Sequence, residues 1–141
     1  MNNALIKVLL IEDNPGDARL LQELLTEVSF IQFEFHQTDR LRQGIELVKT
    51  KLFDIILLDL SLPDSQELAT FIALHQQAPG IPIVVITGLD DETLALRAVH
   101  EGAQDYLLKG QVTTELLVRS IRYAIERHRT EHKIREQAAL L

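Results

Sequence analysis

Residues 54–59 read DIILLD, an apolar run between two aspartates. A short, continuous apolar run with polar residues at both ends is typical of a strand that is buried on both faces. Such strands occur in parallel sheets that are covered by helices. The run ends on Asp59, so the sequence predicts a carboxylate at the carboxyl end of a buried strand.

Three other segments repeat this arrangement, each with an apolar run that ends on polar side chains. They are KVLLIED at residues 7–13, PIVVIT at residues 82–87 and DYLLK at residues 105–109. Parallel strands point the same way, and ligands of open α/β sheets bind beyond the carboxyl ends of the strands. The residues that end the four runs should therefore meet in one crevice. These residues are Glu12, Asp13, Asp59, Thr87 and Lys109.

Helices are expected between the runs. They cover roughly residues 15–28, 41–48, 68–74 and 91–101. Period-two alternation in residues 32–38 predicts one more strand, half-buried and near a sheet edge. A loop is expected at residues 60–65. Five strand–helix units in succession predict one α/β domain, with a doubly wound five-stranded parallel sheet and helices on both faces.

The composition of the 141 residues excludes several classes of protein. The chain has no cysteine, which rules out disulfides and thiolate metal sites. No apolar run approaches the ~20 residues of a membrane-spanning helix and no signal peptide is recognisable, so we expect a cytoplasmic protein. The net charge of −7 argues against direct nucleic-acid binding by the domain. Residues 1–112 carry a net charge of −9, whereas residues 113–141 carry +2.

The carboxylates of Glu12, Asp13 and Asp59 would repel one another in one crevice, so either one keeps a proton or a cation neutralises them. Oxygen ligands without histidine or cysteine suit a hard ion. Mg²⁺ is favoured because it binds one or two carboxylates and keeps several waters for a phosphate group. A simpler interpretation is that acidic residues after strands cap the following helices. Helix capping could explain the polar residue after any one run, but it explains less well why all four runs end on such residues.

The hydroxyl of Thr87 and the ammonium of Lys109 suit the oxygens of a phosphoryl group. An aspartate beside these groups and a metal could accept a phosphoryl group as an acyl phosphate. An aspartyl-phosphate hydrolase would need a second acid two residues after the nucleophile, and that residue is Ser61. We therefore expect slow release of the phosphoryl group, which suits a switch and not a turnover enzyme.

Over roughly residues 5–127 the chain resembles the receiver domain of two-component response regulators. The matching residues are Glu12-Asp13, Asp59 within DIILLDLSLPD, Thr87 within VITG, Lys109, and Tyr106 three residues before that lysine. The resemblance implies a flavodoxin-like sheet with strand order 2-1-3-4-5. It also implies that Asp59 accepts a phosphoryl group from a phosphohistidine on a sensor histidine kinase or phosphotransfer protein.

The resemblance further implies a role for each site residue. The implied ligands of Mg²⁺ are Asp13, Asp59, the backbone carbonyl of Ser61 and, through water, Glu12. Lys109 and Thr87 would bind phosphoryl oxygens. Tyr106 would turn inward with Thr87 and reshape the face formed by the fourth helix, the fifth strand and the fifth helix.

Two residues depart from the pattern of that family. Gly110 follows Lys109 where family members usually have proline, often after a cis bond. Because a cis bond before a residue other than proline is costly, a trans bond with unusual dihedral angles at Gly110 is one alternative, and the sequence does not decide between the two isomers. Glu67 stands eight residues after Asp59, where the family tends to have glycine. Both departures concern the shape of loops and not the chemistry of the site.

Two classes of function stay open on the sequence alone. The first is phosphorelay signalling without a conventional substrate. The alternative is an unphosphorylated pseudo-receiver that acts as a protein-binding platform. The complete set of site residues argues against that alternative.

The last helix is expected to begin near residue 113 and to have no stop signal before residue 141. The predicted division is a receiver domain at residues 1–127 and a helical connector or dimerisation extension at residues 128–141. The extension is too polar to pack on the domain, and Ile134, Ala138 and Leu141 are spaced as in a parallel coiled coil. The sequence therefore predicts a homodimer through the fourth and fifth helices, without membrane insertion.

Overall fold

A computed structural model describes residues 4–140 and contains the predicted five-stranded parallel sheet. Its strands are β1 (Ala4–Ile11), β2 (Ile31–Thr38), β3 (Ile55–Asp59), β4 (Ile83–Thr87) and β5 (Asp105–Leu108). Their order in the sheet is β2-β1-β3-β4-β5, and all four pairings are parallel. This order confirms the predicted doubly wound, flavodoxin-like fold.

Five α-helices connect and cover the strands. They are α1 (Pro15–Thr26), α2 (Leu41–Thr50), α3 (Leu68–Gln77), α4 (Glu92–His100) and α5 (Thr114–Leu140). A 3₁₀ turn at Leu89–Asp91 precedes α4. No helix among residues 4–140 is both long and apolar enough to cross a membrane.

Alternate residues of the central strands supply two separate cores. In β1, Leu9 and Ile11 face the core that contains Phe71 of α3, whereas Val8 faces the core that contains Ile121 of α5. Every residue of β3 is buried, because helices cover both faces of this central strand. The sheet is therefore fixed from both sides, and the carboxyl ends of its strands are held in a constant arrangement.

The segment expected to be a loop after β3 contains a short hairpin. Ser61–Leu62 pairs with Ser65–Gln66 in antiparallel register. At its tip Asp64 accepts hydrogen bonds from the backbone N–H groups of Leu41 (2.9 Å) and Arg42 (3.0 Å), so it caps the N-terminus of α2. The expectation of a plain loop was wrong here, because two short backbone segments pair with each other and Asp64 anchors the turn between them to α2.

α5 runs without a break from the domain into the expected extension. Arg127 donates a hydrogen bond to the backbone oxygen of Gln104 (2.7 Å), and the Gln104 side chain donates one to Glu131 (3.2 Å). Residues 132–140 are exposed. Polar contact with the domain thus continues one turn beyond residue 127, although the extension was expected not to pack there. Leu141, which we included in the coiled-coil spacing, lies outside the described residues.

The two residues that depart from the family pattern both have positive φ angles. Gly110 has φ 87°, and no peptide bond among residues 4–140 is cis, so the bond left open after Lys109 is trans. Glu67 has φ 61° and ψ −143°, a backbone conformation that suits glycine. The glycine that the family tends to have at this position therefore has a conformational reason, and Glu67 is strained.

Replacement of Glu67 by glycine should stabilise the fold. Strain of this kind costs of order 1–3 kcal/mol, and part of the gain is lost to the greater freedom of glycine in the unfolded chain. We expect Glu67→Gly to raise the free energy of unfolding by about 1 kcal/mol in urea titrations. Gln111→Gly is the control, since Gln111 lies in a loop without positive φ and its change should destabilise. An equal decrease in the free energy of unfolding of both variants would contradict the assignment of strain to Glu67.

Candidate functional site

The carboxyl ends of four neighbouring strands bring the predicted residues together. Glu12 and Asp13 directly follow β1, and Asp59 is the last residue of β3. Thr87 ends β4, and the backbone N–H of Lys109 donates a hydrogen bond to its carbonyl oxygen (2.8 Å). The crevice predicted from the four apolar runs is therefore present in the folded chain.

The ammonium of Lys109 lies at the centre of the site. Its Nζ is 2.7 Å from Asp59 Oδ2, 2.7 Å from Glu12 Oε1 and 2.9 Å from Asp17 Oδ2. Although partial burial opposes the charged form, these three carboxylates raise the pKa of Lys109 above its usual value. The lysine therefore keeps its charge at physiological pH and neutralises part of the negative charge around it.

Glu12 is the most enclosed acid of the site, with only 1% of its surface exposed. Burial and the neighbouring Asp59 raise the pKa of Glu12 to about 8, against the opposing effect of Lys109. Oε1 of Glu12 is 2.7 Å from Lys109 Nζ, and Oε2 accepts a long hydrogen bond from the backbone N–H of Asn14 (3.4 Å). The buried carboxyl group thus shares its close donor, the Lys109 ammonium, with Asp59 and Asp17.

Three of these acids could hold a metal ion. One carboxylate oxygen from each of Glu12, Asp13 and Asp59 lies within 4.8 Å of the other two. Glu12 and Asp59 are buried, whereas Asp13 is exposed at the mouth. An oxygen-only set of three carboxylates, two of them buried, fits a hard cation such as Mg²⁺.

Ser61 is placed beside this set by the turn after β3. Its backbone N–H donates a hydrogen bond to Asp59 Oδ1 (2.9 Å), which fixes the orientation of that carboxylate. Its hydroxyl donates to the side-chain oxygen of Gln66 across the hairpin (3.1 Å). Ser61 therefore supports Asp59 with its backbone, while its side chain belongs to the hairpin.

Thr87 and Tyr106 occupy different environments. Thr87 is buried at the end of β4. The Tyr106 hydroxyl points outward and donates a hydrogen bond to Glu92 Oε2 at the start of α4 (2.8 Å). This hydrogen bond raises the pKa of Tyr106. The tyrosine is therefore in the outward arrangement and is tied to the first residue of α4.

Asp17 is a site residue that the sequence analysis missed. Its backbone N–H belongs to the start of α1, where it donates a hydrogen bond to Asn14 Oδ1 (3.0 Å). Its carboxylate nevertheless reaches Lys109 from the first turn of the helix. The acidic residue in the first turn of α1 was the available signal, but only the fold shows that it faces the lysine.

Comparison with known proteins identifies the family. The model of the response regulator receiver domain matches residues 8–122. The chain is similar to the cell cycle response regulator CtrA of Brucella abortus, with 34% identity over 114 residues, which is 81% of this chain and 48% of that protein. The chain thus spans about half the length of the curated relatives it matches.

Solved structures share the fold at low sequence identity. The signal receiver domain of an HD domain-containing protein from Pseudomonas fluorescens Pf-5 has a TM-score of 0.79 at 23% identity, over 94% of this chain and 96% of that chain. NtrX from Brucella abortus, in complex with ADP, has a TM-score of 0.81 at 19% identity, over 94% and 30% of the two chains. The match to the family model at residues 8–122 includes the four strand ends that carry the site residues. The chain therefore belongs to the response regulator receiver domain family.

Proposed function

We propose that this chain is a phosphorylation-controlled switch in a phosphorelay. Asp59 would accept a phosphoryl group from a phosphohistidine on a sensor histidine kinase or a phosphotransfer protein. The observation that supports this most is the position of Asp59, with one carboxylate oxygen held by a backbone N–H and the other 2.7 Å from the Lys109 ammonium. An oriented carboxylate beside a fixed positive charge is suited to attack phosphorus.

The transfer requires little from the protein beyond orientation and charge. A carboxylate oxygen of Asp59 forms a bond to phosphorus while the bond from phosphorus to the imidazole nitrogen breaks and its electron pair returns to the imidazole. Lys109 would then bind a phosphoryl oxygen, and Thr87 would bind another. Charge stabilisation by preorganised donors is the main contribution that such a site makes to phosphoryl transfer.

We propose that phosphoryl transfer to Asp59 requires a metal ion and that this ion is Mg²⁺. Asp13, Asp59 and the backbone carbonyl of Ser61 would hold the ion, and Glu12 would act on it through water. When bound, the ion would supply positive charge to the phosphoryl oxygens as they gain negative charge. The close approach of three carboxylates, with a single ammonium shared among the acids of the site, supports a cation at this place.

The same proposal assigns the output to the face formed by α4, β5 and α5. Phosphorylation would draw Thr87 toward the phosphoryl group and release Tyr106 from Glu92, so that the ring turns inward. Exposed Leu96 on α4 and Leu116 on α5 make this face suitable for the homodimer expected from the sequence. The domain itself would act without turnover and without binding nucleic acid, in the cytoplasm.

Replacement of Asp59 by asparagine should abolish phosphorylation, because Asp59 combines Lys109 at 2.7 Å with an orienting N–H at 2.9 Å, whereas the N–H that reaches Glu12 is 3.4 Å away. The test is incubation with acetyl phosphate and Mg²⁺, followed by intact-protein mass spectrometry. The wild type and the control Asp91→Asn, which changes an exposed acid outside the site, should each gain one phosphoryl group. An adduct on Asp59→Asn at full stoichiometry would refute the assignment. A wild type without any adduct would favour the pseudo-receiver.

The phosphorylated form should persist for minutes or longer. Leu89, two residues after Thr87, is 57% exposed beside the crevice and cannot orient a water for attack. Ser61, two residues after Asp59, offers no acid either. We expect Leu89→Gln to shorten the lifetime, because an amide can orient the water, whereas Leu89→Met should leave it unchanged. Decay of the mass adduct after removal of the donor measures this, and a wild-type lifetime of seconds would contradict it.

Without metal, the stability of the protein should fall as the pH rises. Folded Glu12 keeps its proton up to a pKa of about 8, whereas an ordinary glutamate loses it near 4.5. Between these values the folded state binds more protons than the unfolded state, so the free energy of unfolding declines, by at most about 1.4 kcal/mol per pH unit. Urea titrations in EDTA should show a shallower decline for Glu12→Gln than for the wild type. The exposed-site control Glu46→Gln should keep the wild-type slope, and equal slopes in all three proteins would contradict the assignment.

A further inference from the structure

Asp17 makes a contact at the site that the proposed transfer does not use. Its Oδ2 lies 2.9 Å from the Nζ of Lys109, although Asp17 belongs to the first turn of α1 and not to the end of a strand. The carboxylates that could together hold a metal ion are those of Glu12, Asp13 and Asp59. Asp17 therefore acts on the site through the lysine, if it acts there at all.

The ammonium of Lys109 has fewer donors than the transfer demands. It carries three N–H bonds. Three carboxylates already lie within 2.9 Å of its nitrogen, those of Glu12, Asp17 and Asp59. An oxygen of an incoming phosphoryl group is a fourth acceptor. One carboxylate must therefore give up its contact while Lys109 stabilises the charge that develops on the phosphoryl oxygens.

Two of the three contacts cannot be given up at that stage. Asp59 is the attacking group, so its orientation has to be kept until the bond to phosphorus forms. Glu12 is only 1% exposed, and loss of the ammonium would leave its buried carboxyl group with one long hydrogen bond, from Asn14 at 3.4 Å. Asp17 differs, because 37% of its side chain is exposed and water can replace the ammonium as its partner.

Space for hydration of Asp17 is present beside it. A cavity of about 110 Å³ is bordered by Asp17, Lys109 and Gly110, and this volume is enough to admit water. A Cβ atom at Gly110 would meet no heavy atom within 4 Å, so the region beside this glycine is open. The carboxylate of Asp17 can therefore become hydrated next to the site once it leaves the ammonium.

We propose that Asp17 is a positioning residue that restrains Lys109 in the resting domain and yields it to the phosphoryl group during transfer. This inference rests on the proposed phosphorylation of Asp59. The restraint slows uptake, because the contact with Asp17 has to be given up for each transfer. The finished aspartyl phosphate is not affected in this way, because there a phosphoryl oxygen takes the place that the Asp59 carboxylate held at Lys109.

Replacement of Asp17 by asparagine should accelerate uptake and leave decay unchanged. With acetyl phosphate and saturating Mg²⁺, mass spectrometry of the intact chain should show labelling about threefold faster than in the wild type, the scale of a partly exposed ion pair. The lifetime of the adduct after removal of the donor should equal that of the wild type. If Asp17 only supported the fold of α1, Asp17→Asn would slow uptake or shorten the lifetime, and either result would overturn the proposal.

Glu23→Gln is the matched control, since it neutralises an exposed acid of the same helix that pairs with Arg19 and not with Lys109. It should keep the wild-type rate of uptake. An equal acceleration by Glu23→Gln would replace the proposal with a general effect of charge.

Removal of the ammonium tests whether Asp17 acts through it. In the Lys109→Gln background, with labelling followed over longer times, Asp17→Asn should leave the rate of uptake unchanged, because nothing remains to be restrained. A threefold acceleration in that background would also overturn the proposal. If neither of these two proteins is labelled, the comparison of Asp17→Asn with Glu23→Gln decides.

Failure of the proposed function gives a different result from failure of this inference. A wild type that gains no phosphoryl group would refute phosphorylation of Asp59, and the role of Asp17 would be refuted with it. A wild type that is labelled as fast as Asp17→Asn would refute the role of Asp17 alone.

Discussion

The ion pairs of a single ammonium group hold the carboxyl edge of this sheet together. Lys109 contacts Asp59 after β3, Glu12 after β1 and Asp17 in α1, so one side chain from the end of β5 joins three other elements. Without that positive charge, buried carboxylates would face one another and ionisation would oppose folding. The same charge makes the edge suitable for a phosphoryl group, because it is fixed in place before any ligand arrives.

The edge is nevertheless incompletely neutralised, and this is what distinguishes a functional site from a structural salt bridge. One ammonium stands among several acids, and two of these acids, Glu12 and Asp59, are buried. Buried acids that share a single positive charge lower stability when they ionise. The two apolar cores on either side of β3 offset that cost, since they bury the whole strand that presents Asp59. The fold therefore tolerates a site that is electrostatically unfavourable until a proton or a cation is added.

The sequence predicted the sheet and the crevice because both depend on local patterns. Apolar runs with polar ends identify strands, and parallel strands bring their ends together whatever the lengths between them. The features that escaped prediction depend on contacts between distant segments. Asp64 caps α2 from the hairpin, Asp17 reaches Lys109 from α1, and Glu131 accepts a hydrogen bond from Gln104. No periodicity records such pairs, whereas the strain at Glu67 had a signal in the glycine that the family tends to have there.

β5 connects the site to the extension of α5 within four residues. Lys109 follows the last residue of this strand, and the residues at its start are fixed to α5 by hydrogen bonds, from Ser120 to Asp105 and from Arg127 to Gln104. Tyr106 lies between these ends and contacts α4. A strand of four residues is too short to absorb a displacement at one end without moving the other. β5 therefore connects Lys109 and Tyr106 directly to the helix that leaves the domain, and the polar contacts at Gln104 hold that helix beside the start of the strand.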